Sequence, residues 1–250
     1  MPDEVDTVDQ VITRMREIGE EAAKLGAADG VACFNRLYLA VTEAVKQELD
    51  TPNGFKDWKF TDRLDIHFAK LYFNAVRDWN AEELTAKAWQ PLFEQRGDRN
   101  ISPIQFALTG MNAHINHNLS QALVITWEEI GKRDWRVDGH ESAAWVDFQR
   151  VNEILETVRD RVEKELKNEF HLQWWDRAVG QVDEIVEMWS VEKARDLAWA
   201  AAELRWDVRE HEGTAGAVED IIDRLVGFAG HQLLRRIGSF VDDQGDAEPS

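Results

Sequence analysis

Between Ile101 and Trp127 the chain carries no Asp, Glu, Lys or Arg, although 31% of all its residues are charged. A stretch of that length without charge belongs inside the fold, because a surface segment of so charged a protein would carry solvating groups. It is not simply apolar, however. Asn112, His114, Asn116, His117, Asn118 and Gln121 all fall within it. Buried amides and imidazoles require hydrogen-bond partners or a ligand, so this segment is at once the expected centre of the fold and the expected functional centre.

The punctuation around it is helical. Ser102 is a good N-cap, Pro103 stands at the first helical position where its missing N–H is harmless, and Gly131 is a plausible stop. A helix over that span would be roughly 40 Å long at about 1.5 Å per residue, unless Gly110 bends it. Placed at 100° steps, Ile104, Leu108, Met111, Ile115, Leu119 and Ala122 form an apolar arc. Gly110, His114, His117 and Gln121 form the adjacent one, with Asn118 at its edge and Asn112 and Asn116 roughly opposite.

Most of the remaining chain also reads at helical period. Val11, Ile12, Met15 and Ile18 form a first stripe. A second runs from Gly30 through Phe34, Tyr38, Val41 and Val45 to Leu49, ended by Thr51-Pro52-Asn53-Gly54. Thr61 or Asp62 can cap a third, carrying Leu64, Phe68, Leu71, Tyr72 and Val76. A short piece spans Trp89 to Gln95. Beyond a loop near Gly139, Phe148, Val151, Leu155, Val158, Val162 and Leu166 mark a long helix. Val182, Ile185, Trp189, Leu197, Ala201 and Leu204 mark another. Val218, Ile221, Ile222, Leu225 and Phe228 mark the last. Strand-like alternation is nearly absent and there are five prolines. The expectation is an all-α, single-domain multi-helix bundle over residues 1–240 around a buried histidine- and asparagine-bearing helix, with 241–250 as a flexible acidic tail.

A net charge of -19 argues against nucleic acid and anionic membrane as partners, since phosphates would be repelled. It suits ordinary solubility or a high-salt surface. One cysteine, Cys33, excludes an internal disulfide and fits a reducing, cytoplasmic setting; its apolar neighbours suggest packing rather than reactivity. No secretory leader is expected at the acidic N-terminus.

His114 and His117, three residues apart, can aim at one location, as a divalent metal (zinc, iron or manganese) or a substrate requires. Asp65, an acid between Leu64 and Ile66 on an apolar helix, is the first candidate for a third ligand or general base; Glu43 and Asp183 are alternatives. Gly110 would leave open space above the His114 ring. A metal site, a metal-free polar pocket and a satisfied polar core all fit these residues. Glu-x-x-His, His-Glu-x-x-His, P-loop, Gly-x-Gly-x-x-Gly and Gly-x-Ser-x-Gly motifs are missing. The aspartates at 242, 243 and 246 imitate a cyclase motif but fall in the tail. Trp174, Trp175, Trp189, Trp199 and Trp206, with small residues between the last three, suggest tight helix packing or an aromatic-walled pocket. His67, His140, His171, His211 and His231 are scattered.

Several runs resemble a known family: Asp29-Gly30-Val31-Ala32-Cys33-Phe34-Asn35-Arg36, Arg63-Leu64-Asp65, and Pro103 to Leu108 continuing into Gly110-Met111-Asn112-Ala113-His114-Ile115-Asn116-His117. Met188 to Val191, Ala194-Arg195 and Ala198-Trp199 add to the likeness, which is to the domain-of-unknown-function family numbered 5995. The resemblance implies one helical unit over nearly the whole chain and supplies no established reaction. It nominates Asn35, Arg63, Asp65, Asn112, His114, Asn116, His117 and Arg195. His67 departs from the family pattern, which argues against it as a shared ligand.

The leading expectation is a metal-dependent enzyme of generic hydrolase type. His114, His117 and Asp65 would form its centre, Arg63 or Arg195 would hold an anionic group, and Asn35, Asn112 and Asn116 would contact substrate. The alternatives are a non-catalytic carrier of a small molecule in an aromatic pocket and a purely structural helical protein. The acidic outer helices suggest no exposed apolar seam.

Overall fold

Ser102 and Gln105 form a reciprocal capping box. Each side chain accepts a hydrogen bond from the other residue's main-chain N–H, and Pro103 occupies the first turn. A cap of this kind contributes about 1 kcal/mol. It starts the central rod of the computed structural model, which describes residues 5–131, 142–169 and 190–235. The rod runs through α5 (Pro103–Ala113), a π-helical segment (His114–Leu119) and α6 (Ser120–Ile130). It ends at Gly131, whose φ of 78° lies in the left-handed region that glycine tolerates.

Before the rod come α1 (Val8–Ala23), α2 (Gly30–Leu49), α3 (Trp58–Asn80) and the short α4 (Gln90–Gln95). After it come α7 (Ala143–Glu169), α8 (Val191–Val208) and α9 (Glu212–Leu233). The described chain is helical, and no strand occurs in it. Side-chain caps begin most of these helices. Thr7 caps α1, Asp29 caps α2 and Ser190 caps α8. Asp57, rather than Thr61 or Asp62, caps α3: the helix starts a turn earlier than its apolar stripe, and Thr61 is already inside it.

The rod packs against α2 and α9 along its first half and against α3 and α8 along its second, while α7 lies on α2 and α3. Buried apolar side chains from all these elements join one continuous core. This enclosure explains the missing charge between Ile101 and Trp127: every residue of α5 except Pro103 is buried. The tryptophans that the structure describes mostly pack. Trp199 meets Trp127, Trp145 and Phe148 at ring-centroid distances of 5.4, 4.9 and 4.8 Å. Cys33 is fully buried.

Two expectations change. Gly110 does not open space above His114, because Phe34 fills it: a Cβ on Gly110 would fall 2.3 Å from Phe34 Cγ. The glycine is there to admit that ring. The last helix also faces outward more than its periodicity suggests. Ile221, Leu225 and Phe228 are exposed, and α9 is held instead through Val226, Gly227 and Gly230. An apolar stripe is therefore open on α9. The expected helix start at Val182, Ile185 and Trp189, the candidate Asp183, His140, His171, Trp174, Trp175 and the tail 241–250 lie outside the described residues.

No helix among the described residues is long and apolar enough to cross a membrane.

Candidate functional site

Facing side chains of α2, α3, the rod, α7 and α8 leave a cavity between them. Its wall includes Tyr38, Val41 and Val45 of α2, Thr61, Leu64, Asp65 and Phe68 of α3, and Met111, His114, Ile115 and Leu119 of the rod. Phe148, Val151 and Leu155 of α7 and Arg195 of α8 complete it. It offers about 50 Å³ to the centres of water-sized molecules, well above the roughly 15 Å³ one water needs and below the 150 Å³ known to admit benzene.

The wall is mostly hydrocarbon, yet its few polar groups lack partners. Thr61 Oγ1, Asp65 Oδ2, His114 Nε2 and Arg195 Nε are each buried without a hydrogen bond, while the Tyr38 hydroxyl has Thr42 beside it. An unmet buried polar atom costs about 1–3 kcal/mol. Four around one cavity call for a guest in it, water or ligand, that can reach them.

His114 is held on all sides by rings. Phe68 stacks on it at 3.5 Å between centroids and 6° between planes, and Tyr38 meets it edge-on at 4.3 Å. Burial pushes its pKa down to about 3, so the ring is neutral. Its tautomer follows from its neighbours. Trp89 Nε1, which can only donate, gives its hydrogen to Asn118 Oδ1 over 2.9 Å. That fixes the amide, so the 3.5 Å contact between His114 Nδ1 and the same oxygen requires the proton on Nδ1. Nε2 is left as a bare lone pair at the cavity.

Asp65 is half-buried and lines the cavity, with Oδ2 itself out of reach of solvent. Burial, with some help from the charge of Asp62, lifts its pKa to about 7. A carboxyl there can gain or lose a proton at neutral pH. Burial and the neighbouring Asp65 push the Tyr38 phenol up, so it stays protonated. Arg195 Nη2 donates to the Phe148 carbonyl over 2.7 Å, and its guanidinium lies 4.1 Å over the Phe148 ring. Burial lowers its pKa to about 9, which leaves it a cation at neutral pH.

His117 goes elsewhere. Asn118 Nδ2 donates to its Nδ1 over 3.2 Å, so Nε2 carries the hydrogen and donates to Glu219 Oε1 over 2.8 Å. Asp223 stands 3.7 Å from the same nitrogen, and Arg205 and Gln121 also bind Glu219. Burial depresses the His117 pKa, opposed by Asp223. The two histidines are thus bridged by one amide and look into different places. The π turn is the reason. In an α-helix residues three apart fall about 60° short of a full turn, and the wider π turn increases that gap.

A family model described as "Family of unknown function (DUF5995)" matches residues 8–236. The chain belongs to that family. No curated protein and no solved structure matches it.

Of the eight residues picked out on this DUF5995 chain, the structure brings His114, Asp65 and Arg195 to the cavity. The others are engaged away from it. Asn35 Nδ2 donates to the Met15 carbonyl and its Oδ1 accepts from Tyr72, joining α1, α2 and α3. Asn112 Nδ2 donates to the Val226 carbonyl and Asn116 Nδ2 to Asn112 Oδ1, which ties the rod to α9. Arg63 and His67 both pair with Glu129 at the surface. Glu43 pairs with Arg16. The set His114, His117 and Asp65 is therefore not gathered, and no group of three or more His, Cys, Asp or Glu placed to hold a metal occurs among the described residues.

Tyr38, Thr61 and Phe68 of this DUF5995 cavity were expected as stripe or cap residues and not as part of the site. One signal for Tyr38 was present: there are only two tyrosines in the chain, against eleven tryptophans and eleven phenylalanines. Both tyrosines meet His114, at 4.3 and 6.1 Å.

Proposed function

We propose that the protein binds a small, largely apolar molecule in the cavity lined by His114, Asp65 and Arg195 and exchanges a proton with it through Asp65. One observation carries this reading: His114 Nε2 and Asp65 Oδ2 stand unpartnered in the wall of one mostly apolar cavity. Apolar walls supply affinity, and a few convergent polar groups supply orientation.

The roles divide by acidity. With a pKa near 3, His114 is a poor base; its lone pair serves to accept a hydrogen bond and orient a donor. Asp65, near 7, is the group suited to general acid–base work at neutral pH. Hydrolase-type chemistry would use this pair to steer and deprotonate a water. A non-catalytic carrier would use the same cavity without turnover. A divalent cation in it would find its unengaged ligands in His114 Nε2 and Asp65 Oδ2 among the described residues, with water or substrate completing its shell.

Ligand-observed NMR with a library of small, mostly apolar molecules tests the reading. Binders should be lost in His114→Ala and Asp65→Asn and retained in Glu219→Gln, whose side chain lies on the His117 side. Binders that survive both cavity substitutions would refute the assignment. Among confirmed ligands, one transformed by wild type but not by Asp65→Asn separates enzyme from carrier.

A further inference from the structure

The polar groups of the cavity have different neighbours. Tyr38 packs on His114 and feels the charge of Asp65, whereas Arg195 packs on Phe148. Tyr38 and Val45 both line the cavity from α2, and seven residues of α-helix span about 10 Å. Val41, Leu64, Ile115, Val151 and Leu155 lie in the wall as well and offer only hydrocarbon.

Arg195 is the unusual member. It is 5% exposed, its Nε hydrogen has no acceptor, and among the described residues its side-chain hydrogen bond goes to a neutral carbonyl. No carboxylate among the described residues lies within ion-pair distance of it. The neighbouring Asp196 carboxylate acts on it electrostatically but accepts from Gln149 Nε2 and makes no ion pair with it; a buried cation without a directly paired carboxylate is costly. Asp147 also lines the cavity, but both its oxygens accept main-chain N–H groups, from Lys56 over 2.9 Å and Asp57 over 2.5 Å. Asp65, whose pKa burial raises to about 7, makes no ion pair with Arg195 among the described residues.

We infer that the molecule taken by this cavity is a small monoanion with an apolar body, such as a short-chain monocarboxylate, whose anionic group pairs with the Arg195 guanidinium. This rests on the cavity being a binding site and adds what it selects. The free Nε–H is one arm of the planar fork that recognises carboxylates. The apolar wall fits a short hydrocarbon chain, and the small volume sets an upper limit on its length. The acidic surface repels anions at long range, a repulsion that salt screens while the buried pair stays intact. Affinity should therefore hold or improve as ionic strength rises.

Calorimetric titration with matched series decides it: straight-chain carboxylates from acetate to butyrate against primary alcohols of equal length. Wild type should bind the best acid at least tenfold more tightly than its alcohol. Arg195→Gln should erase that preference, and Arg195→Lys should keep part of it. The wild-type comparison needs no variant, so a fold defect in Arg195→Gln cannot obscure the outcome. If alcohols bind as well as acids, or Arg195→Gln retains the preference, the anion is wrong while the binding site stands. If neither series binds and xenon does not enter under pressure, both readings fall.

Discussion

Trp89 donates its indole N–H to Oδ1 of Asn118 over 2.9 Å, and this single bond sets the proton positions of two histidines. With the amide oxygen fixed, His114 must carry its proton on Nδ1 and His117 on Nε2. Nitrogen-15 NMR should therefore find His114 Nε2 unprotonated and His117 Nε2 protonated. Trp89→Phe should leave the amide free to turn and mix the tautomers, at a cost of about 1–3 kcal/mol for the lost bond and volume. Two histidines with the same tautomer in wild type would contradict this scheme.

Much of the frame could be read from residue order, because it is set locally. Ser102, Pro103 and Gly131 bound the rod where cap chemistry places them, and Asp65 betrayed itself as an acid among apolar neighbours. The pairing of His114 with His117 was not legible. It assumed 100° steps, and the π turn from His114 to Leu119 depends on how the rod fits its neighbours, which spacing does not encode. Arg63 and Arg195 look alike as sequence; only packing decides that one meets Glu129 at the surface and the other faces the cavity.

Gly110 gives a sharp packing test. A methyl group there would sit 2.3–2.6 Å from three Phe34 atoms, and Phe34 is wholly buried against Tyr72, Trp89 and His114. The ring has nowhere to retreat, so Gly110→Ala should cost about 1–3 kcal/mol by overpacking despite the better helix propensity of alanine. Gly213→Ala, on α9 with nothing within 4 Å, should be neutral or stabilising. Equal melting temperatures for the two variants would show that Phe34 yields.

Metal dependence can be measured directly. His117 donates its Nε2 hydrogen to Glu219 and its Nδ1 accepts from Asn118, and both Asp147 oxygens hold main-chain N–H groups, which leaves His114 and Asp65 as the two unengaged ligands in the cavity. Two ligands hold zinc, iron or manganese weakly compared with three or four. Extensive chelation should leave the melting temperature unchanged, and elemental analysis should find less than one metal per chain. A stoichiometric metal whose removal lowers the melting point would require a third ligand that the described residues do not place there.

The opposed pKa shifts of the buried groups make stability depend on pH in a way one substitution can isolate. His114 and His117 fall below their ordinary value of 6.5, His114 to about 3. Below pH 6.5 the unfolded chain therefore binds protons the folded one refuses, so stability present above 6.5 is lost as pH falls. Asp65 works in the other direction. Its pKa rises from 3.8 to about 7, so the folded state holds a proton the unfolded state has released; that contribution is full below 3.8 and is lost as pH rises through 7. Between about 5 and 6.5 the two histidines outweigh the one carboxyl, and wild type should gain stability with pH. Asp65→Asn removes the opposing group, so its curve should climb more steeply, by up to about 1.4 kcal/mol per pH unit for the one proton. The variant should gain on wild type up to pH 7 and then hold a constant lead. Denaturant melts of both proteins from pH 5 to 8 give the comparison, and parallel curves would mean that Asp65 is ionised at neutral pH and cannot be the acid of this site.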